Sequence, residues 1–284
     1  MHASRYSRSA KQSVKFPTFE RPPVTEVVVG LSFRTLDKLT VPLIGELWNE
    51  RLKEHFPTVE EHPTYEPPAE QFDTSLPGPG LAWQFGILPS LPRLWFLNNV
   101  GDELLQLQRN WFSCNWRRVS PDAEYGRWEP RRAAFQRWLN VFIGFVEDHK
   151  IGPFTPIQAE VTYVNHVRPS DLWTRHGQLP RFLRLAGSAA GDFLPEPEQM
   201  QVAAQYVMRD DEEPLGRLHV TAQPGIQAGT NDRIYVLTLT ARGRPESDGV
   251  DGVFKFLNKG REWIVKGFVD MTTDAAHRDW GLHG

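Results

Sequence analysis

Residues 157–168 read IQAEVTYVNHVR, and this stretch decides the fold class. Apolar and polar residues alternate along it, which is typical of a β-strand with one buried face. The apolar face carries Ile157, Ala159, Val161, Tyr163 and Val167. The polar face carries Gln158, Glu160, Thr162, His166 and Arg168. A sheet built around this strand needs helices on its apolar side, and we expect its polar side to lie open to a partner or ligand.

Similar patterns predict the remaining strands and helices. The first half of the chain predicts a strand at Val24–Phe33, a helix at 40–56, strands at Leu81–Ile87, Arg93–Asn98 and Glu103–Arg117, and a long helix at Glu129–Lys150. The second half predicts the strand at 157–168, a weak helix or loop at Leu172–Leu185, strands at Gln201–Arg209, Arg217–Ala222 and Arg233–Arg242, and a long helix at Gly249–Val269.

Each half therefore has the order strand, helix, three strands, long helix. We expect an α+β fold with a tandem pseudo-repeat of this unit, in which antiparallel sheets carry the helices on one face. The boundaries predicted are a disordered basic tail at 1–20, a first unit at 21–152 and a second unit at 153–284. Little residue identity links the halves, so the repeat is one of element order.

Composition restricts the class of protein. The chain has 284 residues, 40% hydrophobic and 24% charged, enough to form a globular core. Its single cysteine, Cys114, cannot form an internal disulfide, and no apolar run is long enough to cross a bilayer. These features predict a soluble cytoplasmic protein without membrane contact. Residues 1–15 hold four cations and no acid, a composition that an organelle transit peptide shares with a disordered tail.

Motifs for catalysis and metal binding are missing from the sequence. It has no HExxH, no cysteine pair, no phosphate loop and no GxSxG elbow. Glu160 and His166 share a polar face, but six residues of strand separate them by about 20 Å, too far for an acid–base pair. We therefore expect a non-enzymatic protein without cofactor or metal. An enzyme whose site is assembled from distant residues, with Glu160 and His166 as first candidates, is an alternative.

Arginine and tryptophan concentrate at residues 111–137, with six Arg against three acidic residues. The candidate binding residues there are Trp116, Arg117, Arg118, Trp128 and Arg131. Arginine beside tryptophan suits phosphate contact with base stacking, and it also suits a protein interface. The net charge of −3 includes the four tail cations, so the remainder carries −7. This acidic body favours a protein partner over nucleic acid.

Several motifs together resemble a known family. They are PPVTEVVVG at 22–30, LWFL at 94–97, LLQLQR at 104–109, NWR at 115–117, EVTYVNH at 160–166, TT at 272–273 and WG at 280–281. The chain resembles a sporadically distributed bacterial family of uncharacterised proteins of similar length. The resemblance supplies no catalytic residues. It implies a bacterial cytosolic setting, and patchy occurrence is expected of an accessory or mobile-element system.

The sequence thus predicts a non-enzymatic binding or accessory protein that engages another macromolecule, with a protein as the expected partner. Nucleic-acid binding through the Arg/Trp patch is the second hypothesis. On the polar sheet face the candidate residues are Gln106, Gln108, Asn115, Arg117, Glu160, His166 and Arg168. The oligomeric state is left open by the sequence.

Overall fold

The computed structural model describes residues 16–70, 72, 92–120, 123, 125–187, 193–210 and 212–283. Within these ranges the chain forms eleven strands and four α-helices, so the predicted α+β class is confirmed. The predicted strand at Leu81–Ile87 lies outside the described residues.

Nine strands form one antiparallel sheet in the order β3-β4-β5-β6-β2-β7-β10-β9-β8. Their bounds are β2 Val24–Phe33, β3 Thr58–His62, β4 Arg93–Leu97, β5 Glu103–Gln108, β6 Trp111–Arg117, β7 Pro156–Val167, β8 Val202–Asp210, β9 Glu213–Ile226 and β10 Arg233–Gly243. The decisive stretch, β7, therefore lies in the middle of the sheet, beside β2.

The first strands of the two predicted halves meet at the centre, where Val29 of β2 lies opposite Val161 of β7. From this pair the sheet continues through β6, β5 and β4 on one side and through β10, β9 and β8 on the other. The two sides of the sheet do not match fully, because β3 lies beyond β4 on the first side and no described strand lies beyond β8 on the second. Residues 172–185 form two short 3-10 turns, His176–Arg181 and Arg184–Ala186, where a weak helix or loop was predicted. The repeat and the unit boundaries stay predictions.

The predicted single strand Glu103–Arg117 is wrong, because the chain reverses within it. β5 ends at Gln108 and β6 begins at Trp111, and these two residues are cross-strand partners. The turn residues Arg109 and Asn110 are anchored by backbone hydrogen bonds, since Leu36 N donates to Arg109 O and Phe33 N donates to Asn110 O. Neither glycine nor proline lies in this turn, and Asn110 is its one residue that commonly favours turns, which is a weaker signal.

The helices lie on one face of the sheet, as predicted. They are α1 Val41–Leu47, which continues into a π-helical turn at Trp48–Leu52, α2 Trp128–Asp148, α3 Gly249–Met271 and α4 Asp274–Trp280. α2 packs on β2 and β6, and α3 packs on β7, β9 and β10. Phe142 of α2 and Phe256 of α3 are almost fully buried in this layer. Among the described helices, none combines the length and apolarity needed to cross a membrane.

The two ends of the described chain come together beside the sheet. β1, Thr18–Phe19, pairs with β11, Leu282–His283, in a small antiparallel ladder. α4 is capped by Thr273, whose side chain accepts a hydrogen bond from Ala276 N, and it ends at Gly281 with a left-handed φ of 68°. Trp280 is buried against Phe268. Residues 16–23 are thereby fixed as a wall beside one end of the central strands.

Candidate functional site

The polar face of the sheet is buried and not open, which corrects the expectation from the sequence. Gln106 is 7% exposed, Asn115 is 3% exposed and Glu160 is 7% exposed. Residues 63–70, which we call the strap, reach residues of β5, β7, β9 and β10 on this face. The strap follows edge strand β3, so the chain covers its own polar face. Sequence alternation could not show this, because it identifies polar positions and not what covers them.

Two glutamine side chains hold the strap. The Gln108 carbonyl accepts a hydrogen bond from Tyr65 N at 3.0 Å, and its amide donates to Tyr65 O at 2.6 Å. Gln158 repeats this arrangement, accepting from Glu70 N at 3.0 Å and donating to Pro68 O at 2.7 Å. An extended segment has few partners for its own backbone groups, and these two amides supply them. Gln108 and Gln158 therefore act as structural residues.

Glu70, at the end of the strap, is the centre of a buried ion network. Its carboxylate lies 2.6 Å from Arg217, 2.6 Å from His219 and 3.6 Å from Arg242. Arg242 also donates to Glu160 at 2.6 Å. Burial alone would raise the pKa of Glu70, but the hydrogen bonds from His219 and Arg217 outweigh it, so that its pKa lies below the ordinary value. Glu70 is therefore an anion that joins the strap to β9 and β10.

The register of β7 and β10 completes this network. Glu160 lies opposite Arg242, and Thr162 lies opposite Thr240, with 2.8 Å between the two threonine hydroxyls. Thr162 also donates to Glu160 at 3.2 Å. Glu160 thus receives donors from two side chains, and its charge is matched by a guanidinium. Burial, followed by the charge of Glu160, raises the pKa of Tyr65 to about 12. These contacts are suited to holding the strap on the sheet.

The other half of the polar face contains an amide network. Gln106 donates to Asn115 at 3.1 Å, and Asn115 donates to Glu26 at 2.7 Å. Burial raises the pKa of Glu26, although the hydrogen bond from Asn115 and the charge of Arg117 oppose the shift. Arg117 itself donates to Gly101 O at 3.0 Å. The predicted binding residues Gln106, Asn115 and Arg117 are therefore engaged in internal contacts.

The tryptophans of the Arg/Trp region belong to the core. Trp116 is 3% exposed and Trp128 is 4% exposed. Arg131 donates to Glu103 at 3.2 Å, and its guanidinium lies 5.5 Å from the Trp116 ring centroid. A stacking surface needs accessible aromatic faces, which these two side chains do not offer. Trp116, Trp128 and Arg131 therefore have structural contacts where binding was predicted.

Three predicted residues do come together in a groove at one end of the central strands. β6 and β7 both run antiparallel to β2, so their C-terminal ends lie at the same end of the sheet. Arg118 directly follows β6, while His166 and Arg168 lie at the end of β7. These residues and Arg127 line a groove of about 740 Å³, which we call the cationic groove. Its opposite wall is formed by residues 19–23, Asp279 and Trp280.

The cationic groove holds positive charges that repel one another. Burial, followed by the charge of Arg168, lowers the pKa values of both His166 and Arg118. Across the described parts of the chain, none of Arg118, Arg127, His166 and Arg168 forms an ion pair. Arg127 was not among the candidates, and its position in the sequence gives no signal for this groove. The arrangement is suited to binding an anion.

One group of potential metal ligands is also brought together, away from the sheet face. Glu46, Glu50 and His149 place one ligand atom each within 4.8 Å of one another. Both carboxylates are exposed, and His149 Nε2 already lies 3.5 Å from Glu46 Oε1. The sequence analysis missed this group, although two glutamates spaced four apart on a helix share one face.

Comparison with models of known protein families gives no match, and no curated protein sequence matches the chain. Function must therefore be inferred from the geometry of the described residues. The cationic groove is one feature of that geometry whose charged side chains form no ion pair among the described residues.

Proposed function

We propose that the chain is a non-catalytic cytoplasmic binding protein that takes an acidic segment of a partner protein into the cationic groove. The observation that supports this is the juxtaposition of Arg118, His166 and Arg168 without a paired carboxylate in the described part of the chain. Holding like charges together costs free energy, and a bound carboxylate offsets that cost. An accessory protein that recognises a partner through the cationic groove needs no catalytic group.

The positions of Glu160 and His166 favour binding over catalysis. Glu160 is engaged by Arg242 and Thr162 on the covered face. His166 lies in the groove beside Arg168, and no described carboxylate is bonded to its ring. General acid–base catalysis needs a second group within hydrogen-bond reach of the reacting proton. These two residues therefore do not form an acid–base pair with each other, as their separation along the strand predicts.

A protein partner is favoured over nucleic acid for two reasons. The groove wall also carries Glu20 and Asp279, which would repel a continuous phosphate backbone. An acidic peptide carries its carboxylates on flexible side chains, which can turn away from these two acids. In addition, burial of Trp116 and Trp128 removes the stacking surface that single-stranded nucleic acid would use.

The proposal is tested with a fluorescein-labelled hexaglutamate peptide and a labelled single-stranded DNA of equal charge, by fluorescence anisotropy at low salt. We expect the protein to bind hexaglutamate more tightly than the DNA. The variant Arg118→Ala/Arg168→Ala should bind the peptide at least about tenfold more weakly, which corresponds to 1.4 kcal/mol. Tighter binding of the DNA would favour the nucleic-acid hypothesis instead.

The matched control removes two arginines from the opposite end of the strands. Arg34 follows the end of β2, Arg244 follows the end of β10, and both are exposed. Arg34→Ala/Arg244→Ala changes the net charge by the same amount, so it should leave peptide affinity within about twofold if the groove is the site. Equal losses in the two double variants would show a general charge effect and contradict the proposal.

A further inference from the structure

A second cavity lies on the helix side of the sheet, beside the N-terminal wall. Its volume is about 290 Å³, and it opens between residues 16–24 and α3. The residues that make it apolar are Phe16, Phe19, Leu239, Ile264, Val265 and Phe268. Ligand pockets span about 300–1,000 Å³, so this cavity is sized for a small molecule. It adjoins the cationic groove, and Tyr125, Arg127 and residues 19, 22 and 23 line both, but Arg118, His166 and Arg168 line only the groove.

Two phenol groups meet in this cavity. The hydroxyls of Tyr125 and Tyr163 lie 2.8 Å apart, so one donates to the other. Burial raises the pKa values of both tyrosines, and for Tyr163 the hydrogen bond from Tyr125 and the charge of Arg261 oppose the rise. Both phenols are therefore protonated at neutral pH. One hydroxyl proton forms the hydrogen bond between the two phenols. The proton of the second hydroxyl can therefore be donated to a different acceptor.

Arg261 brings a positive charge to the same cavity. Its guanidinium carbon lies 3.8 Å from the centroid of the Phe16 ring, a cation–π contact. Within the described ranges Arg261 forms no ion pair. Glu129 also lines the cavity, but no ion pair within the described ranges joins its carboxylate to Arg261. An anionic group entering the cavity would therefore meet a guanidinium and a phenol proton, both of them donors.

We propose that this cavity binds a small amphipathic carboxylic acid. Its apolar body packs against Phe19, Leu239 and Phe268, and its carboxylate accepts from Arg261 and from the tyrosine pair. A neutral alcohol of the same length would bury the same apolar surface but leave the charge of Arg261 unmatched. A cation of that length would be repelled. The assignment is independent of the protein partner proposed for the cationic groove.

The test uses decanoate as the probe, with decanol and decyltrimethylammonium as comparison ligands, by isothermal titration calorimetry. We expect decanoate to bind at least about tenfold more tightly than either comparison ligand. Arg261→Met keeps the apolar length of the side chain and removes its charge, so it should abolish the preference for decanoate over decanol. Equal affinity of the wild-type protein for all three ligands, or no binding of decanoate, would overturn the assignment.

Two further variants locate the ligand. Val265→Phe enlarges a half-buried residue that lines the cavity and should weaken decanoate binding at least about tenfold. Val141→Phe makes the same change at a half-buried position of α2 that does not line the cavity, and it should leave binding unchanged. Arg118→Ala/Arg168→Ala should also retain decanoate binding. Loss of binding in either of these last two variants would contradict the cavity as the site.

Discussion

Glu70 Oε1 and His219 Nε2 lie 2.6 Å apart, although 149 residues separate them in the chain. This contact joins the strap to β9, on the half of the sheet far from the edge strand that the strap follows. Gln106, Asn115 and Glu160 on the polar face of the sheet are therefore buried. The recognition proposed for this chain uses the groove where Arg118, His166 and Arg168 meet.

Replacing Glu70 should destabilise the protein in a pH-dependent way. Glu70→Gln removes the buried anion that lies 2.6 Å from both Arg217 and His219, and we expect a loss of roughly 3 kcal/mol in the free energy of unfolding near neutral pH. The pKa of Glu70 is lowered from 4.5, so the carboxylate stabilises the fold fully above that pH. The stabilisation is lost as the pH falls through the folded-state pKa. Urea unfolding at several pH values measures the difference.

Glu60 provides the matched control for this experiment. Glu60 is exposed, and its carboxylate lies 3.0 Å from His62 Nε2. Glu60→Gln should change the free energy of unfolding by less than about 0.5 kcal/mol. A gap between wild type and Glu70→Gln that stays constant down to acid pH would contradict the role given to the Glu70 carboxylate.

Loss of Gln158 should loosen the strap. Gln158→Ala removes the acceptor of Glu70 N and the donor to Pro68 O. Each hydrogen bond contributes about 1 kcal/mol, so the amide of Glu70 should exchange with deuterium markedly faster than in the wild type. Hydrogen exchange measured by NMR reports this amide directly. Gln205→Ala, at an exposed position of β8, should leave it unchanged. Unaltered protection of Glu70 in Gln158→Ala would refute this attachment.

Gly30 should not tolerate a side chain. A Cβ atom there would lie 2.6 Å from the Trp111 ring and 3.0 Å from Ser113 Cβ, so Gly30→Ala should destabilise the fold by about 1–3 kcal/mol. The same substitution at Gly45 of α1 meets no atom within 4 Å and should stabilise by about 1 kcal/mol through helix propensity. Thermal unfolding of both variants provides the comparison. A Gly30→Ala protein as stable as the wild type would show that Trp111 does not lie over Gly30.

Cys114 should be unreactive in the folded protein. The thiol is buried on β6, and burial raises its pKa to about 12. Because the thiolate is the reactive form, Ellman's reagent near pH 8 should label Cys114 only after denaturation. Rapid labelling of the native protein would show that this part of the core opens readily.

The alternation in residues 157–168 predicted the two faces of β7 correctly, because burial under α3 imposes a strict period of two on Ala159, Val161 and Tyr163. The same pattern could not reveal the strap. Its partners Glu70 and His219 are brought together by tertiary structure, and no local signal marks such a pair. The turn at Arg109–Asn110 was missed for a different reason, because Asn110 favours turns but is not accompanied by the glycine or proline that marks most of them.

The candidate site was predicted in part. Arg118, His166 and Arg168 were chosen as polar or cationic positions, but their meeting follows from the strand order β6-β2-β7, which the sequence does not specify. Trp116 and Trp128 were predicted as binding residues, but both are buried in the core, which is the common outcome for such large apolar side chains. Residue type therefore predicted the charges of the groove residues but not the burial of the two tryptophans.

The charge state of His166 tests the central claim most directly. NMR titration of its ring should give a pKa below 6.5 in the free protein, because burial and Arg168 disfavour the imidazolium. Saturating hexaglutamate at low salt should raise that pKa, since bound carboxylates stabilise the charged ring. An unchanged His166 titration in the presence of the peptide would contradict anion binding in the cationic groove.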